Sequence, residues 1–382
     1  GRDKVNKKSE KERHAAVGHA GLTSKELARL CGVSQGTVDR ALNNRAGISE
    51  KTRKKVLDAA QAYGYVKNRY ASALSSGKSG LIGVVMLHLK NEFFSHMLTA
   101  IEQQARVLGY SVVIMLSHGS EEEERACIRR LCGMQAAGIL LCSVSRDGAF
   151  LEGCPCPVVT LANHVGKTNS NSGSNSTDVS ITGSTGKSNT CSNVGNTNNT
   201  HNQAGSGADH SSLLSFVGID DRQAMYDATR YVIARGYERL LYYSPVLALE
   251  AEENIDAQKR RQQGFLQAVR ECNVAEITVG SKDLGQVEQF CHDVRERGAV
   301  LCGSDYYALQ CMEITLTTHT GLMGFDGIPA LRYVKPALTT VHYPAERAGT
   351  AAVDLLARLA GGGEWDGREV ILPHTIVEGE TL

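Results

Sequence analysis

The 382-residue chain has no run of 18 apolar residues, which argues against a membrane-spanning helix. No apolar segment follows the basic residues of GRDKVNKKSEKERH at its start, so no secretory signal is expected, and a cytoplasmic location is. Its 11 cysteines are odd in number, scattered from Cys31 to Cys311 without a spaced framework, and read as small buried hydrophobes. Also missing are a nucleophile elbow, paired carboxylates on one face, and a Cys/His arrangement with an orienting partner; no enzyme activity is expected. GSTGKS at 183–188 fails as a phosphate loop because Ile181 stands where the first glycine is needed. Cys154-Pro-Cys156 forms a close pair beside His164, but no second ligand pair stands at finger-like spacing. Neither a metal nor a cofactor is therefore expected.

The formal net charge of zero hides an asymmetry. Residues 1–78 hold 17 Lys and Arg against 7 Asp and Glu, a balance of +10, which leaves the remainder at −10. One end suits a polyanion, since a basic module gains affinity by displacing counterions from phosphates, whereas an acidic body is discouraged from sticking to DNA.

Within that basic end, LTSKELARLCGVSQGTVDRALN (22–43) encodes two helices around a glycine turn. Thr23 can cap the first, with Glu26 closing a capping box, while Leu27, Leu30 and Val33 supply an apolar face and Gly32 is the stop. Ser34 caps the second, in which Val38, Ala41 and Leu42 point inward. Gln35, Gly36, Thr37, Asp39 and Arg40 are left facing outward, as in a recognition helix. Ser49 caps a third helix, EKTRKKVLDAAQAYG, with Val56, Leu57, Ala60 and Tyr63 at helical spacing and Gly64 as the stop. A linker with a possible cap at Asn68 and one exposed leucine, Leu74, follows as a marginal helix that orders on DNA.

From Leu81 apolar strands alternate with amphipathic helices: LIGVVML, YSVVIML, GILLCS and PVVTLA, then SFVGID, RLLYYS, AEITV, GAVLCG, TGLMGF and LTTV. This is a parallel βαβ succession in two α/β lobes, with a ligand expected in the cleft beyond the carboxyl ends of the strands. Between the halves lies 166–212, 47 residues of which 34 are Ser, Asn, Gly or Thr. Such a segment cannot bury enough to fold and reads as a disordered insertion. The expected organisation is a basic tail (1–21), a helix-turn-helix DNA-binding domain (22–66), a hinge linker (67–80) and a two-lobed effector-binding and dimerisation core (81–382) carrying the insertion.

These residues resemble the lactose-repressor (LacI/GalR) family of bacterial transcription regulators. The resemblance is carried by GVSQGTVDRALN, ISEKTRKKVLDAAQAYGY, NRYASALSSGKS followed by LIGVV, RRQQGF, GFDGIP and LTTVHYPAERAG, in family-like order and spacing. It implies a three-helix headpiece and hinge before a parallel-sheet core like that of periplasmic binding proteins. It also implies a homodimer on a pseudo-palindromic double-stranded operator, with affinity set by a small, sugar-like effector and no membrane partner. No apolar heptad tail follows LPHTIVEGETL, so a dimer is expected over a coiled-coil tetramer.

By the resemblance, Gln35 and Gly36 fall where the main base-reading pair stands, and Arg40 where an arginine reaches base or phosphate. Gln can pair with adenine, Arg can fork onto guanine, and Thr37 can donate to a phosphate. Thr23, Ser34, Asn43 and Asn68 complete the DNA-facing set. Leu74 matches the leucine wedged into the minor groove at the operator centre, while Lys67 stands where many relatives carry proline. In the core, Arg261 matches an effector-gripping arginine, and Asp326 a carboxylate of the opposite lobe that accepts from the ligand; together they suggest polar anchoring from one wall. Phe93 and Phe94 fall where relatives place apolar or aromatic residues against a sugar or purine. Ser304 replaces a frequent asparagine before the matching acid Asp305. Asn163, beside Ala162, substitutes for an aspartate, and Asp220 either lines the crossing between lobes or caps the following helix. Two other readings of the chain stay open: a sugar-binding protein without a transcriptional role, and a DNA binder that has lost ligand sensing.

Overall fold

The computed structural model describes residues 22–66, 80–151, 153–165, 214–248, 255–272, 274, 276–279, 283–294, 297–364 and 368–382. The basic tail, the hinge residues Asn68 and Leu74, and the insertion lie outside these residues. The chain divides into two compact units, 1–80 and 81–382. No helix of the described residues is long and apolar enough to cross a membrane.

The first unit holds α1 (Ser24–Cys31), α2 (Gln35–Leu42) and α3 (Glu50–Ala62), and each starts where a hydroxyl side chain accepts from a first-turn N–H. At α1 the Thr23 hydroxyl accepts from Glu26 N at 3.2 Å and Glu26 reaches back to Thr23 N at 2.8 Å, so two otherwise orphaned donors are satisfied. Gly32 ends α1 at φ 61°, a left-handed conformation costly for any side chain with a Cβ. Leu27, Ala28, Cys31, Val38, Ala41 and Val56 make the core. Leu30, Leu57 and Tyr63, expected inside, are 45, 43 and 47% exposed. Three short helices enclose only a narrow stripe; Leu30, one position before buried Cys31, is turned roughly 100° away from it.

In the second unit β1 (Leu81–Met86), β2 (Ser111–Leu116), β3 (Gly138–Leu141), β4 (Val158–Leu161), β5 (Ser215–Ile219) and β11 (Glu369–Leu372) form one sheet, in the order β11-β5-β4-β3-β1-β2. All its pairings are parallel. The helices α4 (Glu92–Val107) and α5 (Glu121–Gly133) belong to this lobe. The second sheet runs β12-β10-β9-β8-β6-β7, from β6 (Arg239–Tyr243), β7 (Glu276–Val279), β8 (Gly298–Cys302), β9 (Gly321–Asp326), β10 (Thr339–His342) and β12 (Thr375–Val377). Only β12 is antiparallel to its neighbour. Its helices are α6 (Asp221–Ala234), α7 (Asp256–Glu271), α8 (Leu284–Val294) and α9 (Asp305–Thr318). Buried β-branched and leucine runs such as LIGVVM and GAVLC are what strands covered on both faces require.

Two features differ from the sequence expectation. SFVGI, expected to open the second lobe, is β5 and pairs with β4, Val159 opposite Ser215, so the strands before and after 166–212 both belong to the first lobe. The helix α10 (Ala345–Ala360) follows β10 but packs on α4 and on strands of the first sheet. Gly349 makes that contact possible, because a Cβ there would stand 2.6 Å from the Met97 carbonyl oxygen. The chain therefore passes between lobes three times: after Ile219, between His342 and Ala345, and between Leu372 and Thr375.

Candidate functional site

In the first unit, the outward face of α2 is ordered by local chemistry. The Ser34 hydroxyl accepts from Thr37 N at 3.1 Å and shares a 2.9 Å hydrogen bond with the Thr37 hydroxyl. Gln35 Nε2 donates to Ser24 Oγ at 2.9 Å, tying the first residue of α2 to the start of α1. Gly36 and Arg40 are exposed, and Arg40 makes no ion pair among the described residues. Asp39, an awkward charge for a surface meeting phosphates, accepts from Asn43 Nδ2 at 2.6 Å and pairs with Arg45 at 3.2 Å. Asn43 thus spends its amide inside the headpiece, donating also to the Asp39 carbonyl. Thr23 and Ser34 likewise have their hydroxyls engaged as caps.

One positioning residue was missed. Arg53 on α3, with a mostly buried side chain, donates to the Arg40 carbonyl at 3.3 Å and the Arg45 carbonyl at 2.8 Å. It adds a second donor to the Arg40 carbonyl, which already accepts from Arg45 N at 2.9 Å, and ties the Arg45 carbonyl, just past α2, to α3. In the sequence it stands within the charged run EKTRKK, whose pattern looks like solvated lysine.

In the second unit, a cleft of about 450 Å³ opens at the carboxyl ends of the strands of both sheets. The first lobe contributes His88, Phe93, Phe94 and Asn163; the second contributes Gln258, Arg261, Ser304, Tyr306, Tyr307 and Asp326. Phe93 is buried edge-to-face against Phe94, centroids 5.2 Å apart, and against Tyr343 at 4.8 Å. Phe94 is only half-buried and meets His88 edge-on at 5.9 Å. Among the described residues, His88 Nδ1 is buried without a hydrogen-bond partner.

Arg261 and Asp326 lie in the same lobe, on α7 and at the end of β9, not in opposite lobes. Arg261 Nη1 donates to Asp326 at 3.4 Å and to the Gly303 carbonyl at 2.6 Å, and Nε donates to Asp221 at 2.7 Å. Its guanidinium carbon lies 3.7 Å over the Phe325 ring. Gln258 braces the same carbonyl, donating to it at 3.1 Å while accepting from Ser244 at 2.8 Å.

Asp220 does not line the cleft. Its carboxylate caps α6 by accepting from Gln223 N at 3.0 Å, and the buried acid of the pair is Asp221. Asp305 is also set back: it accepts from Ile328 N at 2.9 Å and from the Thr340 hydroxyl at 2.6 Å, so it holds the loop after Asp326. Ser304 lines the cleft, yet its hydroxyl caps α9, accepting from Tyr307 N at 3.4 Å. Asn163 Oδ1 accepts from Ala257 N at 3.2 Å, bridging the first lobe to the start of α7. His164 stacks on Phe216 and meets Asp256 at 3.2 Å.

Three buried acids around one buried arginine shift protonation. Burial pushes Asp305 up to about 7, although Thr340 and the Ile328 N–H favour its charged form. Burial likewise raises Asp221 and Asp326, against the opposing pull of Arg261. The backbone is strained at the cleft edge as well: Asp326 sits at φ 115° and Ala162 at φ 64°, conformations that non-glycine residues hold only where surroundings enforce them.

Residues 23–68 match bacterial regulatory proteins of the lacI family, and residues 229–382 match the periplasmic binding protein-like domain. The chain is similar to LacI-family regulators along most of its length. The HTH-type transcriptional regulator GalR of Escherichia coli is 28% identical over 354 residues, covering 88% of this chain and 89% of GalR. Catabolite control protein A of Priestia megaterium is 25% identical, with 93% and 97% covered. Among solved structures, the lac repressor dimer bound to operator and the anti-inducer ONPF superimposes with a TM-score of 0.71 at 20% identity, covering 94% of this chain and 99% of that one. The CelR–cellobiose complex gives 0.59 at 19% identity, with 94% and 99% covered. This chain therefore has the fold of both structures.

Proposed function

We propose that this protein is a cytoplasmic, homodimeric transcriptional repressor whose grip on a pseudo-palindromic operator is set by a neutral, sugar-like effector in the cleft. The observation that carries the effector class is Arg261. Three of its five N–H donors are engaged by Asp221, Gly303 and Asp326, and its charge is answered by buried acids, so the wall is poorly suited to an anionic ligand. The two remaining Nη2 donors, the Asp326 carboxylate and the half-buried Phe94 ring offer donors, acceptors and an apolar surface, the combination a pyranose presents in return. Cellobiose in the CelR complex is a ligand of that class.

In the headpiece, Gln35, Thr37 and Arg40 are the proposed readers of base edges and phosphates. Effector and operator then influence each other by linkage: a ligand preferring one arrangement of the lobes shifts DNA affinity by its differential affinity for the two arrangements. The test is calorimetric titration of the full chain with neutral mono- and disaccharides, repeated with sugar phosphates. Mobility-shift assays on DNA upstream of its own gene follow, with and without the ligand found. Saturable binding of a neutral sugar that changes the mobility shift is expected. Preference for sugar phosphates would overturn the effector class, and sugar binding without any operator complex would favour a plain solute binder.

A further inference from the structure

In the sequence, Cys154 and Cys156 stand as a close pair with no partner ligands at finger-like spacing. The fold supplies one from 22 positions upstream. Cys132, in the last turn of α5, has its Sγ 3.7 Å from Cys154 Sγ, which in turn lies 3.9 Å from Cys156 Sγ. All three sulfurs lie within 4.8 Å of one another, and among the described residues no other set of three Cys, His, Asp or Glu ligand atoms comes together in this way. A tetrahedral ion with metal–sulfur bonds of about 2.3 Å places its sulfurs roughly 3.8 Å apart, so two of the three spacings are already those of a bound ion.

The cluster is also held in place. Cys154 N donates to the Leu151 carbonyl at 3.0 Å, Ile139 N at the start of β3 donates to the Pro157 carbonyl at 2.9 Å, and Gln135 N donates to the Cys132 carbonyl at 2.9 Å. Cys156 is buried among Leu131, Ile139 and Leu151, whereas Cys132 and Cys154 keep partial access to solvent. One side is dry and the other reachable, which gives an ion an entry path and an open coordination position. His164 takes no part: it follows β4 at the cleft end of the sheet, while the cysteines precede β3 and β4 at the opposite end.

We propose that Cys132, Cys154 and Cys156 form a binding site for one thiophilic divalent ion, zinc being the ion taken up, with solvent as fourth ligand. Sulfur-only donation selects soft or borderline ions over magnesium or calcium. Coordination converts thiols to thiolates and releases up to three protons to solvent. The bound ion joins the end of α5 to the loop before β4, in the core cluster that also contains Leu81, where β1 begins.

The test uses the full chain, reduced with a phosphine and freed of metal. Cadmium serves as a spectroscopic probe through its thiolate charge-transfer band, and zinc is added in competition. One equivalent of cadmium per chain is expected, its band falling only as zinc is added in large excess, with proton release in weak buffer and a rise in melting temperature. Cys132→Ser and Cys154→Ser should each weaken binding at least tenfold, while Cys272→Ser, at the end of α7, should bind as the parent does. Circular dichroism of the metal-free variants separates loss of ligand from loss of fold. Failure of the parent chain to saturate at one equivalent would overturn the site, as would binding that survives in folded variants lacking both Cys132 and Cys154. A Cys132–Cys154 disulfide that persists under the reducing conditions and excludes the ion would overturn it too.

Discussion

Arg261 donates its Nε hydrogen to Asp221 at 2.7 Å, and both side chains are almost entirely removed from solvent. Removing the arginine strands Asp221 and Asp326 as uncompensated buried acids. Arg261→Ala is therefore expected to lose about 3–5 kcal/mol of core stability, and its effector response cannot be read apart from folding. Arg261→Lys keeps the charge and loses the planar fork. It should fold, retain operator binding, and bind effector roughly tenfold more weakly, equivalent to about 1.4 kcal/mol. Calorimetry and melting curves on the same preparations check both; a lysine variant with parental effector affinity would remove the fork from the site.

Asp305 sets a pH dependence. A carboxyl raised by burial to about 7 in the folded chain contributes stability that is fully present below its unfolded pKa and is lost as pH rises through 7. Asp305→Asn keeps an acceptor for Ile328 N without the charge. Melting temperatures measured from pH 5 to 8 should fall for the parent chain and fall less steeply for the variant, which should be the more stable of the two at pH 8. Parallel curves would show that Asp305 does not titrate in this range.

Arg40 and Arg53 separate reading from positioning. Arg40→Ala should leave headpiece stability unchanged and cost about 1–3 kcal/mol of operator affinity if the side chain makes a bidentate base contact. Arg53→Ala removes the side-chain donor to the Arg45 carbonyl and one of two donors to the Arg40 carbonyl, which keeps the Arg45 N–H, and should lower headpiece stability by about 1–2 kcal/mol. Melting and mobility-shift measurements on the two variants should therefore diverge.

The pairing of β4 with β5 predicts that the insertion tolerates shortening better than complete removal. β4 and β5 are parallel neighbours, and a parallel crossover requires about a dozen residues. Deleting 166–212 leaves six residues between Leu161 and Ser215. That deletion should destabilise the first lobe, whereas a replacement of about 12 polar residues should melt as the parent does. A fully folded complete deletion would contradict the pairing of these strands.

Much of this architecture was legible because the relevant signals are local. Thr23, Ser34 and Ser49 mark helix starts by chemistry a few residues long, and the apolar strand runs declare themselves by burial on both faces. What escaped depends on contacts distant in sequence. Nothing in SFVGI says which sheet it joins. Asp220 and Asp221 are adjacent, and only the position of the helix start turns one outward as a cap and the next inward to Arg261. Gly264 signals little as one glycine in a charged helix, yet a Cβ there would run into the Arg222 carbonyl where α6 and α7 meet. Cys132 joined its partners only once β3 and β4 were side by side.

The three passages of the chain between lobes, after Ile219, His342 and Leu372, work mechanically as parallel straps. Sliding one lobe past the other strains all three together, whereas a twist or a hinge motion about them strains them little. A protease that severed the middle strap, between His342 and Ala345, would leave two fragments still interwoven, because the carboxyl-terminal piece contributes α10 and β11 to the first lobe and β12 to the second. Nicked protein should thus migrate as an intact core until it is denatured.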